Sequence, residues 1–225
     1  MAAVAALAGA CGDGIPRITT VEVAATPCDR PTARLGVGTV IDGGLVLTAA
    51  HVVEEDLRVV NVDGRPARVV ALDARVDAAV LALDSPIDDR AATISDIDLA
   101  DRTADAVRIV TPTQVIDTTV ERIVTLAVDD TTDGVVRRRQ ALALGGVVPA
   151  GTSGAPVVDG DRQVVGIVTI THLGRDITYA TRTGDLRALI DAASASVPGA
   201  VPLVACRSGT LRLGSMASDR MHSYN

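Results

Sequence analysis

The fold is decided by residues 36–53, which read GVGTVIDGGLVLTAAHVV. Two apolar runs, 36–41 and 45–48, carry the branched side chains that favour strands. The Asp-Gly-Gly sequence between them supplies the positive φ that a hairpin turn needs. The second run leads directly to His51. A general base must be held firmly with one imidazole nitrogen free toward the nucleophile, so the hairpin predicts His51 as a candidate general base.

Short strands of the same kind recur along the chain. Turns containing Gly or Asp separate runs rich in Val, Ile, Leu and Ala, and this spacing indicates a sandwich or barrels. One helix is predicted over 183–195, where Leu186, Leu189, Ile190 and Ala193 share a face at helical spacing. The other predicted strands are 57–62, 67–72, 79–83, 106–111, 118–128, 134–144, 155–158, 163–171 and 176–181.

The composition limits the possible partners. Hydrophobic residues make up 48% of the 225 residues, yet Phe and Trp are absent and Tyr occurs twice, so aliphatic side chains must build the core. The formal net charge is -7 and no basic run exceeds the arginine triplet 137–139. Nucleic-acid binding needs a clustered positive surface. A nucleic-acid partner is therefore not expected, and the triplet is interpreted as a solvated strand or turn.

A candidate acidic partner for the histidine is Asp77. It directly precedes the apolar run 78–83, whereas the competing carboxylates Asp73 and Asp84 do not. A carboxylate that accepts a hydrogen bond from His51 fixes the imidazole tautomer and stabilises the imidazolium. Taken alone, however, an Asp at the start of a strand is ordinary turn chemistry, so the role of Asp77 stays open on these residues alone.

A candidate nucleophile is Ser153, within residues 151–158, which read GTSGAPVV. Small residues there let the backbone amides of Gly151 and Ser153 turn inward to hold an oxyanion. A metal site is not expected, because the three histidines His51, His172 and His222 include no pair with ligand spacing.

These three segments together resemble the chymotrypsin-like (trypsin-like) serine proteases, with motifs most similar to bacterial Deg-type, or high-temperature-requirement, enzymes. The resemblance implies an all-β fold of two six-stranded antiparallel Greek-key β-barrels with a short C-terminal helix. It implies a serine endopeptidase without a cofactor, with His51, Asp77 and Ser153 as the triad and the amides of Gly151 and Ser153 as the oxyanion hole. The order His, Asp, Ser excludes the α/β-hydrolase arrangement.

Two residues of the serine loop depart from the family pattern. Thr152 replaces the Asp of proteases that are activated by a freed N-terminus, which fits an enzyme that needs no such cleavage. Ala155 replaces a Gly, and its Cβ is tolerated only if φ is negative.

The resemblance also implies where a substrate lies. The strand over 166–171 resembles the one that pairs with bound peptide, so Thr169, Ile170 and Thr171 are assigned to substrate binding. By the same resemblance, Thr169 stands where a Ser of the family often approaches the triad acid. Val147 is assigned to the pocket base, and residues 145–149 contain no Asp or Glu. Cleavage after small or medium aliphatic residues is therefore expected. His172 offers a weaker alternative, glutamate recognition.

The cysteines and the N-terminus bear on location. Cys28 and Cys206 form a disulfide or remain two unrelated thiols, since spacing alone does not show proximity. Cys11 follows Ala8-Gly9-Ala10 and resembles a bacterial lipoprotein attachment site, although a basic segment and a full hydrophobic segment are missing. We hypothesise an upstream start codon and expect an extracytoplasmic protein, secreted or anchored through lipid on Cys11; the alternative is a disordered Ala-rich leader.

The expected organisation follows the chain in order. Polypeptides are the expected substrates, a monomer is expected, and no appended PDZ domain is expected. A catalytically silent peptide-binding or scaffold protein of the same fold is the alternative function. The predicted segments are a leader (1–14), an extended arm (15–34), an N-terminal barrel (35–95), a C-terminal barrel (106–182), a helix (183–195) and a tail (196–225).

Overall fold

A computed structural model describes residues 18–54, 56–87, 90–96, 104–129, 136–195 and 206. Within these residues the chain forms two six-stranded antiparallel barrels, each closed by pairing of its first and fourth strands. Counted along the chain, the strands of each barrel are neighbours in the order first, second, third, sixth, fifth and fourth. This confirms the expected all-β fold of two antiparallel barrels.

The first barrel also carries a four-residue helix, α1 (Ala50–Val53), directly after β3. Its strands are β1 (Thr20–Pro27), β2 (Arg34–Ile41), β3 (Leu45–Thr48), β4 (Leu57–Val62), β5 (Arg65–Asp73) and β6 (Ala78–Leu83).

The second barrel is followed by α2 (Thr183–Ala195), at the bounds predicted from its apolar spacing. Its strands are β7 (Ala106–Val110), β8 (Val115–Asp129), β9 (Val136–Gly145), β10 (Pro156–Val158), β11 (Val164–His172) and β12 (Ile177–Arg182).

β6 shows how the two barrels are held together. All six of its residues are buried. Ala79, Leu81 and Leu83 face the core of the first barrel. The alternate residues lie in a second apolar cluster with Ile167 of β11 and Leu186 of α2. Because both faces of β6 are covered, the strand is an unbroken apolar run. This run places Asp77, the residue before it, between the two barrels.

The first strand differs from the sequence expectation. Residues 15–34 are predicted as an extended arm outside the barrel, but β1 pairs with both β2 and β4 and closes the barrel. Val21, Val23 and Ala25 are buried, in the alternation of a half-buried strand. Nearby prolines obscure this alternation in the sequence.

The arginine triplet also differs from its interpretation. In β9, Arg138 is exposed, as a solvated strand requires, but Arg139 is buried. No helix among the described residues is long and apolar enough to span a membrane. The leader over 1–14 with Cys11 lies outside the described residues, as does the tail over 196–225 except Cys206.

Candidate active site

His51 lies in the first turn of α1, immediately after the hairpin of β2 and β3. Its carbonyl oxygen accepts a hydrogen bond from Nη1 of Arg34 at 2.8 Å. The flanking residues Ala50 and Val52 are buried, whereas the His51 side chain is 39% exposed. The imidazole is thus held by a buried turn while its ring remains open to a ligand.

The carboxylate of Asp77 contacts this imidazole. Nδ1 of His51 is 3.0 Å from each carboxylate oxygen of Asp77, and the backbone N–H of His51 donates to Oδ1 at 2.9 Å. Asp77 has φ 55°, a left-handed conformation that Asp adopts more readily than most residues. The competing carboxylates are engaged elsewhere: Asp73 pairs with Arg75, and Asp84 pairs with Arg68.

The carboxyl of Asp77 is held as an anion. Burial raises its pKa, but the hydrogen bond and charge of His51, the charge of Arg139 and the His51 backbone N–H lower it more, so the pKa lies below its ordinary value. A carboxylate only accepts hydrogen bonds. The proton on the contact therefore belongs to Nδ1 of His51, and in the neutral form of the ring this leaves Nε2 as an acceptor.

Sequence reasoning missed the guanidinium that also contacts Asp77. Nη2 of Arg139 donates to Oδ2 of Asp77 at 3.1 Å, and both side chains are buried. The family resemblance suggests Thr169 near this acid, but the Thr169 hydroxyl donates to the carbonyl of Tyr179 at 3.4 Å. The signal available in the sequence was strand alternation, which puts Arg139 on the same face as Ala141 and Ala143.

The turn that carries Ser153 packs against the histidine segment. The Ser153 carbonyl accepts a hydrogen bond from the N–H of Val37 at 2.8 Å. A Cβ on Gly36 would lie 2.8 Å from Val52 and 2.9 Å from the Ser153 carbonyl oxygen. The absence of a side chain at Gly36 therefore lets the Ser153 turn approach the residue that follows His51.

Gly154 makes the closest approach in this turn. Its φ is +89°, and a Cβ there would overlap the Val37 carbonyl oxygen and lie 2.6 Å from Oγ1 of Thr48 and 3.0 Å from the nitrogen of Ala49. Ala155, in contrast, is absent from the residues with positive φ. Ala155, which replaces the family's glycine, thus has a backbone conformation that an alanine can adopt.

Three of the five backbone N–H groups over residues 151–155 donate hydrogen bonds within the protein. Those of Thr152, Gly154 and Ala155 donate to the carbonyls of Pro149, Val168 and Thr152. Among the described residues, the N–H groups of Gly151 and Ser153 have no acceptor. These two donors are the pair that the sequence assigns to an oxyanion.

A cavity of about 240 Å³ adjoins Ser153. Of the residues assigned to substrate binding, Thr171 lies on its wall, Thr169 is buried, and Ile170 packs against the cluster of Ala141 and Tyr179. Val148 lines the cavity in place of Val147, and His172 is exposed and outside the wall. The wall consists of Val148, Pro149, Ala150, Gly151, Ser153, Val168, Thr171 and Leu173, none of which ionises.

Cys28 and Cys206 are joined in the structure by a disulfide, with their Cα atoms 5.5 Å apart. Among the described residues, no group of three or more His, Cys, Asp or Glu is placed to hold a metal ion.

Comparison with known proteins gives a consistent result. The family described as "Trypsin-like peptidase domain" matches residues 36–167. No curated protein sequence is significantly similar to the chain. Among solved structures, the active form of the Rv3671c protease from M. tuberculosis is 21% identical, with a TM-score of 0.68 over 85% of this chain and 86% of that chain.

Two further solved structures are similar. The inactive form of the Rv3671c protease is 22% identical, with a TM-score of 0.59 over 78% of this chain and 88% of that one. An HtrA-type protease with a tripeptide is also 22% identical, with a TM-score of 0.61 over 78% of this chain and 59% of that one. At these identities the similarity shows a shared fold.

Proposed function

Because this chain belongs to the trypsin-like peptidase domain family and is a serine peptidase, we propose that it hydrolyses polypeptides with His51, Asp77 and Ser153 as its catalytic triad. The observation that carries this assignment is the contact of Nδ1 of His51 with the Asp77 carboxylate at 3.0 Å. This contact supports Asp77 over Asp73 and Asp84 and leaves Nε2 of His51 for the serine.

The reaction proceeds by acyl transfer. Nε2 of His51 accepts the proton of the Ser153 hydroxyl as Oγ attacks the scissile carbonyl, and Asp77 stabilises the resulting imidazolium. His51 then gives that proton to the leaving amine, and an acyl group remains on Ser153. Water, deprotonated by His51, attacks this ester, and the proton returns to Oγ as the acid product leaves.

The developing oxyanion is bound by the N–H groups of Gly151 and Ser153. Their lack of acceptors among the described residues supports this role, since neither donor must first be released from a protein carbonyl. Removal of one such donor typically costs about 10² to 10³ in rate.

The residue before the scissile bond is small or medium and aliphatic. The cavity beside Ser153 supports this preference, because the described residues of its wall include no carboxylate to pair with Lys or Arg. The Cβ and methyl group of Thr171 occupy wall volume that a glycine would leave open. A burial-driven preference among aliphatic side chains is worth about 1–3 kcal/mol per methylene.

Labelling with a fluorophosphonate probe tests the proposed triad. The probe modifies an activated serine, so the wild-type protein is expected to be labelled and Ser153→Ala is not. Ser85→Ala is the matched control, because Ser85 is an exposed serine on the connection after β6. Absence of wild-type labelling, combined with binding of unmodified peptides, would support the silent peptide-binding protein instead.

The protein acts outside the cytoplasm, either secreted or anchored through lipid on Cys11. The small apolar residues before Cys11 and the pairing of the other two cysteines support this location. Cell fractionation tests it: replacement of Cys11 by Ser should move a lipid-anchored protein from the membrane to the soluble extracytoplasmic fraction. Recovery of both forms in the cytoplasm would refute the proposal.

A further inference from the structure

Arg139 is a buried cation whose only partner among the described residues is Asp77. Its side chain is 6% exposed, and Nη2 donates to Oδ2 of Asp77 at 3.1 Å. Nε is buried and makes no hydrogen bond within the described part of the chain. Burying a guanidinium is costly unless it is paired. The contact with Asp77 is therefore the interaction that keeps this charge in the interior.

The contact also joins the two barrels. Arg139 belongs to β9 of the second barrel, whereas Asp77 precedes β6 of the first. Most other ion pairs of the described residues, such as Arg68 with Asp84, include an exposed side chain and contribute little. The Arg139 pair differs because both members are buried and one of them contacts His51.

We propose that Arg139 is a positioning residue for the reaction: it holds the Asp77 carboxylate against His51 and sets the lower pH limit of activity. The inference rests on the proposed function, since it assigns Arg139 a role in the same triad. Arg139 does not line the cavity beside Ser153, so it acts through Asp77 and not on the substrate.

The charges around this carboxylate determine the direction of the effect. His51 faces Asp77 from α1 and Arg139 faces it from β9, while Arg34 of β2 contacts the His51 carbonyl. Arg139, the Asp77 carboxylate and a neutral His51 together form a cluster of zero net charge. Protonation of His51 then creates a net positive cluster at a partly buried site. Without Arg139, the same protonation neutralises a net negative cluster and becomes easier.

Loss of the Arg139 charge should therefore move the acid limb of kcat/KM to higher pH. Two like charges that share one carboxylate in a partly buried site interact enough to shift this limb by about one pH unit. The upward shift of the acid limb should appear in kcat. KM should stay near its wild-type value because the cavity wall is unchanged.

The test uses pH profiles of kcat/KM for the full chain. Arg139→Met and Arg139→Gln should each move the acid limb upward by about one unit, whereas Arg139→Lys, which keeps the positive charge, should retain the acid limb of the wild type. Arg138→Met is the matched control, since Arg138 is the exposed neighbour on the same strand, and its profile should equal that of the wild type.

A folded neutral variant with the wild-type acid limb would overturn the proposal. So would failure of both neutral variants to fold, which would make Arg139 a residue of folding alone. Labelling of Ser153 separates this outcome from failure of the proposed function. A wild-type protein that is labelled, together with unshifted Arg139 variants, refutes only the role of Arg139.

Discussion

Nδ1 of His51 lies 3.0 Å from both carboxylate oxygens of Asp77, and the His51 backbone N–H donates to the same carboxylate at 2.9 Å. One side chain thus holds both the ring and the backbone of the histidine. The imidazole is oriented before any substrate arrives, which lowers the cost of proton transfer.

Replacement of Asp77 by Asn should lower kcat by about 10⁴, because an amide does not impose the tautomer that leaves Nε2 as acceptor. The measurement is turnover of a peptide substrate above neutral pH. Asp73→Asn is the control: Asp73 lies four residues earlier and pairs with Arg75, so its loss should change kcat less than about twofold. Equal losses in both variants would contradict the assignment of Asp77.

Gly154→Ala should prevent the Ser153 turn from forming. The new Cβ would overlap the Val37 carbonyl oxygen and would also hold a positive φ. Gly43→Ala is the matched control, because Gly43 has φ +76° but nothing within 4 Å of its missing Cβ.

Thermal unfolding measures the loss of stability in each of the two glycine variants. Gly43→Ala should lose about 1–2 kcal/mol, the cost of left-handed backbone alone, and Gly154→Ala more than about 4 kcal/mol. Similar losses would show that backbone conformation, and not space, requires glycine at position 154.

The stability that Asp77 contributes should depend on pH. Its folded pKa lies below the ordinary value, so the contribution is complete above about pH 4 and is lost as the pH falls through the lower folded pKa. In Asp77→Asn the Arg139 charge is unpaired at every pH. The difference in unfolding free energy between the two proteins should therefore narrow below about pH 4 in urea titrations. A difference in unfolding free energy between the wild type and Asp77→Asn that stays constant from pH 3 to 7 would contradict this prediction.

Thr171→Gly should broaden the preference for the residue before the scissile bond. Removal of the side chain enlarges the cavity beside Ser153, so kcat/KM for Phe relative to Ala at that position should rise about tenfold or more. Peptide-library profiling measures this ratio within one experiment. A strong preference for Lys or Arg in the wild type would refute the assignment of this cavity.

Cys206→Ser should destabilise the protein by about 2–5 kcal/mol, because the disulfide to Cys28 closes a loop across 178 residues. Urea unfolding with and without reductant measures this. Reductant should bring the wild type to the stability of the variant and leave the variant unchanged. Insensitivity of the wild type to reductant would show that the two thiols are not bonded in solution.

The amino-acid sequence by itself was sufficient for features that depend on neighbouring residues. Strand runs, the hairpin before His51 and the bounds of α2 follow from apolar spacing and glycine turns, which act over a few residues. The choice of Asp77 followed from its resemblance to the family's acidic residue before an apolar strand, and the structure brings this Asp to His51, whereas Asp73 and Asp84 pair with arginines.

Only the tertiary structure decided features that depend on pairing between distant segments. β1 becomes a barrel strand because β4 pairs with it, and Arg139 becomes the partner of a residue 62 positions away. The burial of a side chain on a strand depends on what covers each face of the sheet. Three consecutive arginines do not indicate which face is covered. The hairpin at 36–53 predicted where His51 would lie, but the packing of two barrels determined which charges surround it.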